Sequence, residues 1–169
     1  MTTNDPITQG LLVQRIHTWF VDNQKTLAVA ESLTSGRLQA ALSLRSGSSK
    51  FFLGGITAYT IPMKGILLGV NEDEAKACSC LSASIAQQMA RGIIKRTGAD
   101  YAISTTGFAE PASADGAPTP RAHYCVMKAD GFVVLDEGLE EFPLAFSRND
   151  VQDAMATTAL QALVKALKI

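Results

Sequence analysis

Metal-ligating residue types are scarce in this sequence. Its two histidines, His17 and His123, stand far apart, and its three cysteines, Cys78, Cys80 and Cys125, form no CxxC pair. That pattern excludes zinc-type ligand spacing and predicts no metal. An odd cysteine count with no framework of bridges fits a reducing compartment, so a cytoplasmic location is expected. An excess of one charge is also lacking: 15 basic residues stand against 16 acidic ones, for a net charge of -1, and no Lys/Arg block occurs. Nucleic acid is therefore excluded as a default partner, because affinity for it begins with phosphate neutralisation. No stretch approaches the roughly 20 apolar residues of a membrane span, and the polar start MTTNDPITQG predicts an unprocessed N-terminus. Neither GxxxxGK[ST] nor GxGxxG occurs, which removes P-loop triphosphate binding and nicotinamide redox chemistry.

What is present suits one folded unit. The 169 residues are 47% apolar and 18% charged, values of a globular chain rather than a disordered one. A chain this long buries roughly 70% of its unfolded surface. No repeat or linker interrupts it, so a single domain over residues 1–169 is expected.

Periodicity supplies the elements. Ile7, Leu11, Leu12, Ile16, Trp19 and Phe20 recur at helical steps, and Thr26 to Ala30 is an apolar run of strand length. The pattern continues with a helix over Arg37 to Leu44, a β-prone segment over Gly54 to Thr60 that Pro62 stops, and a helix capped by Ser82 that ends at Thr97-Gly98. A strand over Asp100 to Gly107 follows, then a long loop, PASADGAPTP, over Pro111 to Pro120. A hairpin over 122–128 and 132–141 turns at Ala129-Asp130-Gly131, and a last helix covers Arg148 to Leu167. Buried strands flanked by helices predict an α/β fold, a three-layer α/β/α sandwich, with a mixed sheet because a hairpin adjoins crossover units.

Ligands collect at the carboxyl ends of strands in such sheets. Two hydroxyl-rich turns sit there, Ser32-Leu33-Thr34-Ser35-Gly36 and Ser104-Thr105-Thr106-Gly107. The first opens a helix and suits an anion, or else caps the helix only. Ser46-Gly47-Ser48-Ser49 is an ordinary turn or the seat of a nucleophile. With no histidine at hand, Tyr59 and Lys64 remain as candidates to activate a serine, and a desolvated lysine is able to act as a base. Arg148 opens the last helix, where the dipole repels a cation, so it faces either a ligand or an ion-pair partner. Glu31, ending a buried strand, requires a partner of its own.

Read together, Ala30-Glu31-Ser32-Leu33-Thr34-Ser35-Gly36, Gly47-Ser48-Ser49, Phe52-Leu53-Gly54-Gly55 with Ala58-Tyr59-Thr60, Lys64 with Leu67-Leu68-Gly69-Val70, and Thr105-Thr106-Gly107 resemble the CinA C-terminal domain family over about residues 10–168. The resemblance implies a three-layer α/β/α domain that commonly forms homodimers. Active members are nicotinamide-nucleotide amidohydrolases, which convert the carboxamide of nicotinamide mononucleotide to the acid mononucleotide and ammonia with no metal or other cofactor. It further implies Ser48 as nucleophile with Tyr59 and Lys64 as activating neighbours. Ser32, Thr34, Gly36, Thr105, Thr106 and Gly107 would line a pocket for a small-molecule nucleotide, and Arg148 would hold its phosphate.

Departures from the family pattern cluster in the pocket walls. Thr106-Gly107-Phe108-Ala109-Glu110-Pro111 stands where active relatives read Thr-Gly-Ile-Ala-Gly-Pro. Pro120-Arg121-Ala122-His123-Tyr124 replaces Pro-Val-Gly-Thr-Val, Thr60-Ile61-Pro62-Met63 replaces Ser-Asn-Glu-Ala, and Gln152 replaces a second arginine. Two functions follow from these features, an amidohydrolase and a diverged member kept for ligand binding or interaction. Glu110 is expected to repel a phosphate unless it pairs with a base such as Arg121.

Overall fold

In the computed structural model, five strands form one sheet in the order β2-β1-β3-β4-β5. They are β1 (Leu27–Glu31), β2 (Phe52–Thr57), β3 (Tyr101–Phe108), β4 (Arg121–Lys128) and β5 (Val133–Glu141). The helices are α1 (Pro6–Asp22), α2 (Arg37–Ser43), α3 (Ile61–Leu68), α4 (Glu72–Ala77), α5 (Ala83–Thr97) and α6 (Arg148–Leu167). The structure describes residues 6–169, with side chains from residue 8 onward. The polar start over residues 1–5 and the Ile7 end of the first apolar stripe lie outside this description. Among the described residues, no helix is long and apolar enough to cross a membrane.

Strand alternation divides the interior into two layers. Leu27 and Val29 of β1 face one side, where Leu12, Ile16 and Phe20 of α1, Leu38 and Leu42 of α2, and Met155, Leu160 and Leu163 of α6 cover them. Ala28 and Ala30 face the other side, with Ile85, Met89 and Ile93 of α5 and Leu68 of α3. The architecture is therefore the three-layer α/β/α sandwich expected. β1 pairs in parallel with β2 and β3, while β3–β4 and β4–β5 are antiparallel, which makes the sheet mixed.

The topology fixes where a site belongs. From β1 the chain leaves into α2 on one face, and from β2 it leaves into α3 on the other, so the connections diverge at the carboxyl ends of two adjacent parallel strands. Such a divergence opens a crevice above the strand ends.

Two expectations change here. The 54–60 segment is strand only as far as Thr57, and Pro62 does not stop it but sits in the first turn of α3, behind the N-cap Thr60. Proline suits that turn because its missing N–H would have no helical partner there. The 111–120 loop is not shapeless either. Ala112 and Ala117 form a β-bridge around a 3-10 turn at Ser113–Asp115, and Ser79 Oγ donates to Asp115 Oδ1 at 2.7 Å.

Candidate active site

Ser32 is the first residue past the carboxyl end of β1, and Lys64 lies one turn into α3. Helical side chains lean toward the helix N-terminus, so the lysine stem runs back toward the strand ends. Its Nζ lies 2.8 Å from Ser32 Oγ and donates to the Tyr59 carbonyl at 3.1 Å. Lys64 is 1% exposed and Ser32 6%. Burial holds the ammonium below the ordinary lysine range, and a Cys80 thiolate alone would oppose this. Burial also pushes the Cys80 thiol up, so at neutral pH that thiol is uncharged and the opposition is absent. Burial thus shifts the lysine toward its neutral form beside a serine hydroxyl, the direction a serine nucleophile needs where histidine is absent.

Above this pair opens a cavity of about 620 Å³, a size suited to a small organic ligand. Ser32, Tyr59, Lys64, Gly107, Glu110 and Arg148 are among its walls, together with Lys76, Ser79, Cys80 and Asp115. Arg148 Nη1 donates to Glu110 Oε1 at 2.7 Å, and its Nη2 donates to the Tyr59 hydroxyl. Glu110 thus has a cationic partner, Arg148 rather than Arg121, which pairs with Glu141 at 2.9 Å.

Within this chain, several of the expected site residues lie apart from the Lys64–Ser32 pair or behind the cavity wall. Ser48 lies in a 3-10 turn ahead of β2, where its hydroxyl donates to the Arg45 carbonyl at 2.6 Å. Because β2 runs parallel to β1 with Phe52 near Leu27 and Thr57 beside Glu31, Ser48 sits at the amino end of the strands. Tyr59 and Lys64 sit past the carboxyl end, roughly 20 Å away at the usual rise of a six-residue strand. Within this chain, the serine brought to Lys64 is Ser32. Tyr59 meets the lysine through its backbone carbonyl, while its half-exposed ring and hydroxyl belong to the Arg148 cluster.

Thr34, Thr105 and Thr106 are fully buried and lie behind the cavity wall instead of on it. Thr34 Oγ1 donates to Glu31 Oε2 at 2.7 Å and stands 2.8 Å from Thr105 Oγ1, and Thr106 Oγ1 donates to the Cys80 carbonyl at 3.0 Å. The 32–36 turn is not an anion site. Glu31 already fills it, accepting from the backbone N–H of Gly36 (2.9 Å), Leu38 (3.2 Å) and Gln39 (3.0 Å). The carboxylate takes the place that a bound anion would have at the N-terminus of α2. Gly36 serves as the left-handed N-cap of that helix.

Lys76, Ser79, Cys80 and Asp115 escaped the sequence reading because loops bring them in from α4 and the 112–117 bridge, with no local spacing to announce them. Among the described residues, no group of three or more His, Cys, Asp and Glu is placed to hold a metal ion.

Comparison with known proteins accords with this architecture. The family model for the CinA C-terminal domain matches residues 10–167. A CinA-like protein of Chlorobium limicola is 34% identical over 154 residues, covering 89% of this chain and 35% of its own length. One from Picosynechococcus is 47% identical over 107 residues, covering 63% of this chain and 25% of its own. The chain thus spans about a quarter to a third of the length of these curated relatives. Among solved structures, the competence/damage inducible protein CihA from Agrobacterium tumefaciens superposes with a TM-score of 0.85 at 26% identity, covering 94% of this chain and 95% of that one. A CinA superfamily protein from Escherichia coli gives 0.86 at 27%, covering 95% and 91%. A family-model match over nearly the whole chain, with a relative 34% identical over 89% of it and the same fold in solved structures, means that this chain belongs to the CinA C-terminal domain family.

Proposed function

We propose that this chain is a serine–lysine amidohydrolase related to the nicotinamide-nucleotide amidohydrolases, cleaving a carboxamide to a carboxylate and ammonia. The observation that carries it is the buried Lys64 Nζ at 2.8 Å from Ser32 Oγ, with both residues lining one cavity. Neutral Lys64 takes the Ser32 proton as Oγ attacks the carbonyl carbon. The tetrahedral intermediate collapses with rupture of the C–N bond, and the Lys64 ammonium gives its proton to the departing amine, so ammonia leaves and an acyl-serine remains. A water then loses a proton to Lys64 and attacks the acyl carbon. Its C–O bond to Ser32 breaks, Oγ regains the proton, and the acid is released. No step draws on a cofactor. A homodimer working in the cytoplasm is the setting the family resemblance supports.

The test is ammonia release by the purified protein from nicotinamide mononucleotide and from its nucleoside, nicotinamide riboside. Turnover of either that is lost in Ser32→Ala supports the assignment. Binding of these amides without ammonia release would instead favour the second reading, a diverged member retained for ligand binding, to which the Glu110–Arg148 pair also lends support.

A further inference from the structure

From the charges around the cavity we infer that the site selects carboxamides lacking a phosphate, with Glu110 as the specificity-determining residue, an inference resting on the amidohydrolase assignment above. A phosphate-bearing amide needs a cation to receive its dianion, and charge-assisted contact with Arg or Lys is the usual means. Among the described residues, three basic side chains line this cavity, Lys64, Lys76 and Arg148. Each is already answered from within the chain. Lys64 is spent on Ser32 and the Tyr59 carbonyl. Lys76 Nζ lies 3.6 Å from Glu72 and 3.9 Å from Asp73. Arg148 holds Glu110 at 2.7 Å and the Tyr59 hydroxyl with its other terminal nitrogen.

Three helix N-termini lie near these residues, and at α3, whose Thr60 and Ile61 line the cavity, Thr60 Oγ1 accepts from Met63 N–H at 3.4 Å and Pro62 offers no N–H. Glu31 fills the N-terminus of α2. At α6, Ser147 and Asp150 form a capping box, with Ser147 N–H donating to Asp150 Oδ2 at 2.9 Å and Asp150 N–H donating to Ser147 Oγ at 3.2 Å.

The Glu110–Arg148 pair is partly exposed, and by itself such a pair is weak. Its weight here lies in placement. Glu110 stands between Ala109, which is 2% exposed, and Pro111, so its backbone is fixed on the cavity wall. A phosphate that displaced it from Arg148 would leave the freed carboxylate beside a dianion, with Asp115 on the same cavity wall. A remote end bearing hydroxyls or a positive charge meets no such conflict and is able to hydrogen-bond the carboxylate. The substrate class is therefore a carboxamide of the nucleoside kind rather than the nucleotide kind.

Nicotinamide riboside and nicotinamide mononucleotide differ by the phosphate alone, so they form the test pair. Ammonia release should show kcat/KM at least tenfold higher for the riboside with the unmodified protein. Glu110→Gln should move that ratio at least tenfold toward the mononucleotide. A preference for the mononucleotide, or a ratio unmoved by Glu110→Gln, overturns the inference. A second arm does not depend on turnover: inorganic phosphate is titrated into both proteins by calorimetry. At least tenfold tighter binding to Glu110→Gln is expected, and equal binding, or none to either protein, overturns it. If neither amide yields ammonia, the amidohydrolase assignment fails while the phosphate arm still decides the role of Glu110. The exposed position of Glu110 makes misfolding an implausible cause of any change, and matching thermal melts check this.

Discussion

Lys64 Nζ reaches Ser32 Oγ at 2.8 Å across 32 residues of sequence, because α3 begins directly after β2 and β2 lies beside β1. A lysine amine and a serine hydroxyl are thereby held together at a cavity with almost no exposed surface of their own.

The two serines separate cleanly in a turnover assay. Ser32→Ala should lower kcat by roughly four to six orders of magnitude, the scale seen when a serine nucleophile is removed. Ser48→Ala should leave kcat within about threefold while costing about 1 kcal/mol of stability, the typical net worth of one hydrogen bond, here the one to the Arg45 carbonyl. Denaturant melts and ammonia release on both variants check the pair. Loss of turnover in Ser48→Ala at unchanged stability would contradict the Ser32 assignment.

The pH dependence follows from Lys64. Its folded-state value is lowered by burial, so between that value and the unfolded value near 10.5 the unfolded chain binds more protons. Stability from this group therefore rises with pH: the penalty is fully present below the folded value and is gone above the unfolded one. Activity should rise with pH as the amine deprotonates, with the midpoint of kcat/KM below the ordinary lysine range. Lys64→Met should abolish turnover, raise stability at neutral pH and flatten its rise toward alkaline pH. A variant less stable than the parent at neutral pH would show that the hydrogen bonds to Ser32 and Tyr59 outweigh desolvation.

Glu31→Gln tests the carboxylate beneath the site. Glu31 is fully buried and accepts from three backbone N–H groups and the Thr34 hydroxyl. An amide keeps one acceptor oxygen and turns an NH2 toward donors, so at least one buried N–H loses its partner. Such a loss costs about 1–3 kcal/mol, and the shift should appear in a denaturant midpoint. With only seven residues, α2 has little else to hold its first turn, so its amides should lose hydrogen-exchange protection first.

Much of this molecule was legible from its residues, and what was hidden has physical causes. The helices α5 and α6 show their apolar spacing and caps openly, and the hairpin β4–β5 turns where Ala129-Asp130-Gly131 indicates. Pro62 misled because proline both ends strands and begins helices, and only Thr60 as N-cap distinguishes the two. Helix α4, EDEAKA, buries Ala75 alone and so has no apolar period to detect. The placement of Ser48 was in principle available, since a serine preceding a parallel strand lies at its amino end and ligands gather at the other. The partnership of Glu110 with Arg148 depends on a 38-residue separation and the path of the 112–117 bridge, which no local pattern encodes.

Gly92 offers the last test, because two effects of opposite sign meet there. It lies inside α5, where alanine is the better helix former by about 1 kcal/mol. A Cβ at this position would, however, lie 2.8 Å from the Leu68 carbonyl carbon and 2.9 Å from its Cα, and closer still to its oxygen. These are backbone atoms at the end of α3 and have no rotamer to change, so α3 and α5 must move apart, and overpacking of this kind costs typically 1–3 kcal/mol. Arg96 of α5 also binds the Ile66 carbonyl at 2.7 Å, which ties the two helices at the same end. The clash should therefore win, and Gly92→Ala should be destabilised by roughly 1–2 kcal/mol net. Since α3 carries Lys64, the displacement should also open the contact with Ser32 and lower kcat more than it raises KM. A variant more stable than the parent would mean that α3 yields freely, and the expected loss of the Lys64–Ser32 contact would then be wrong.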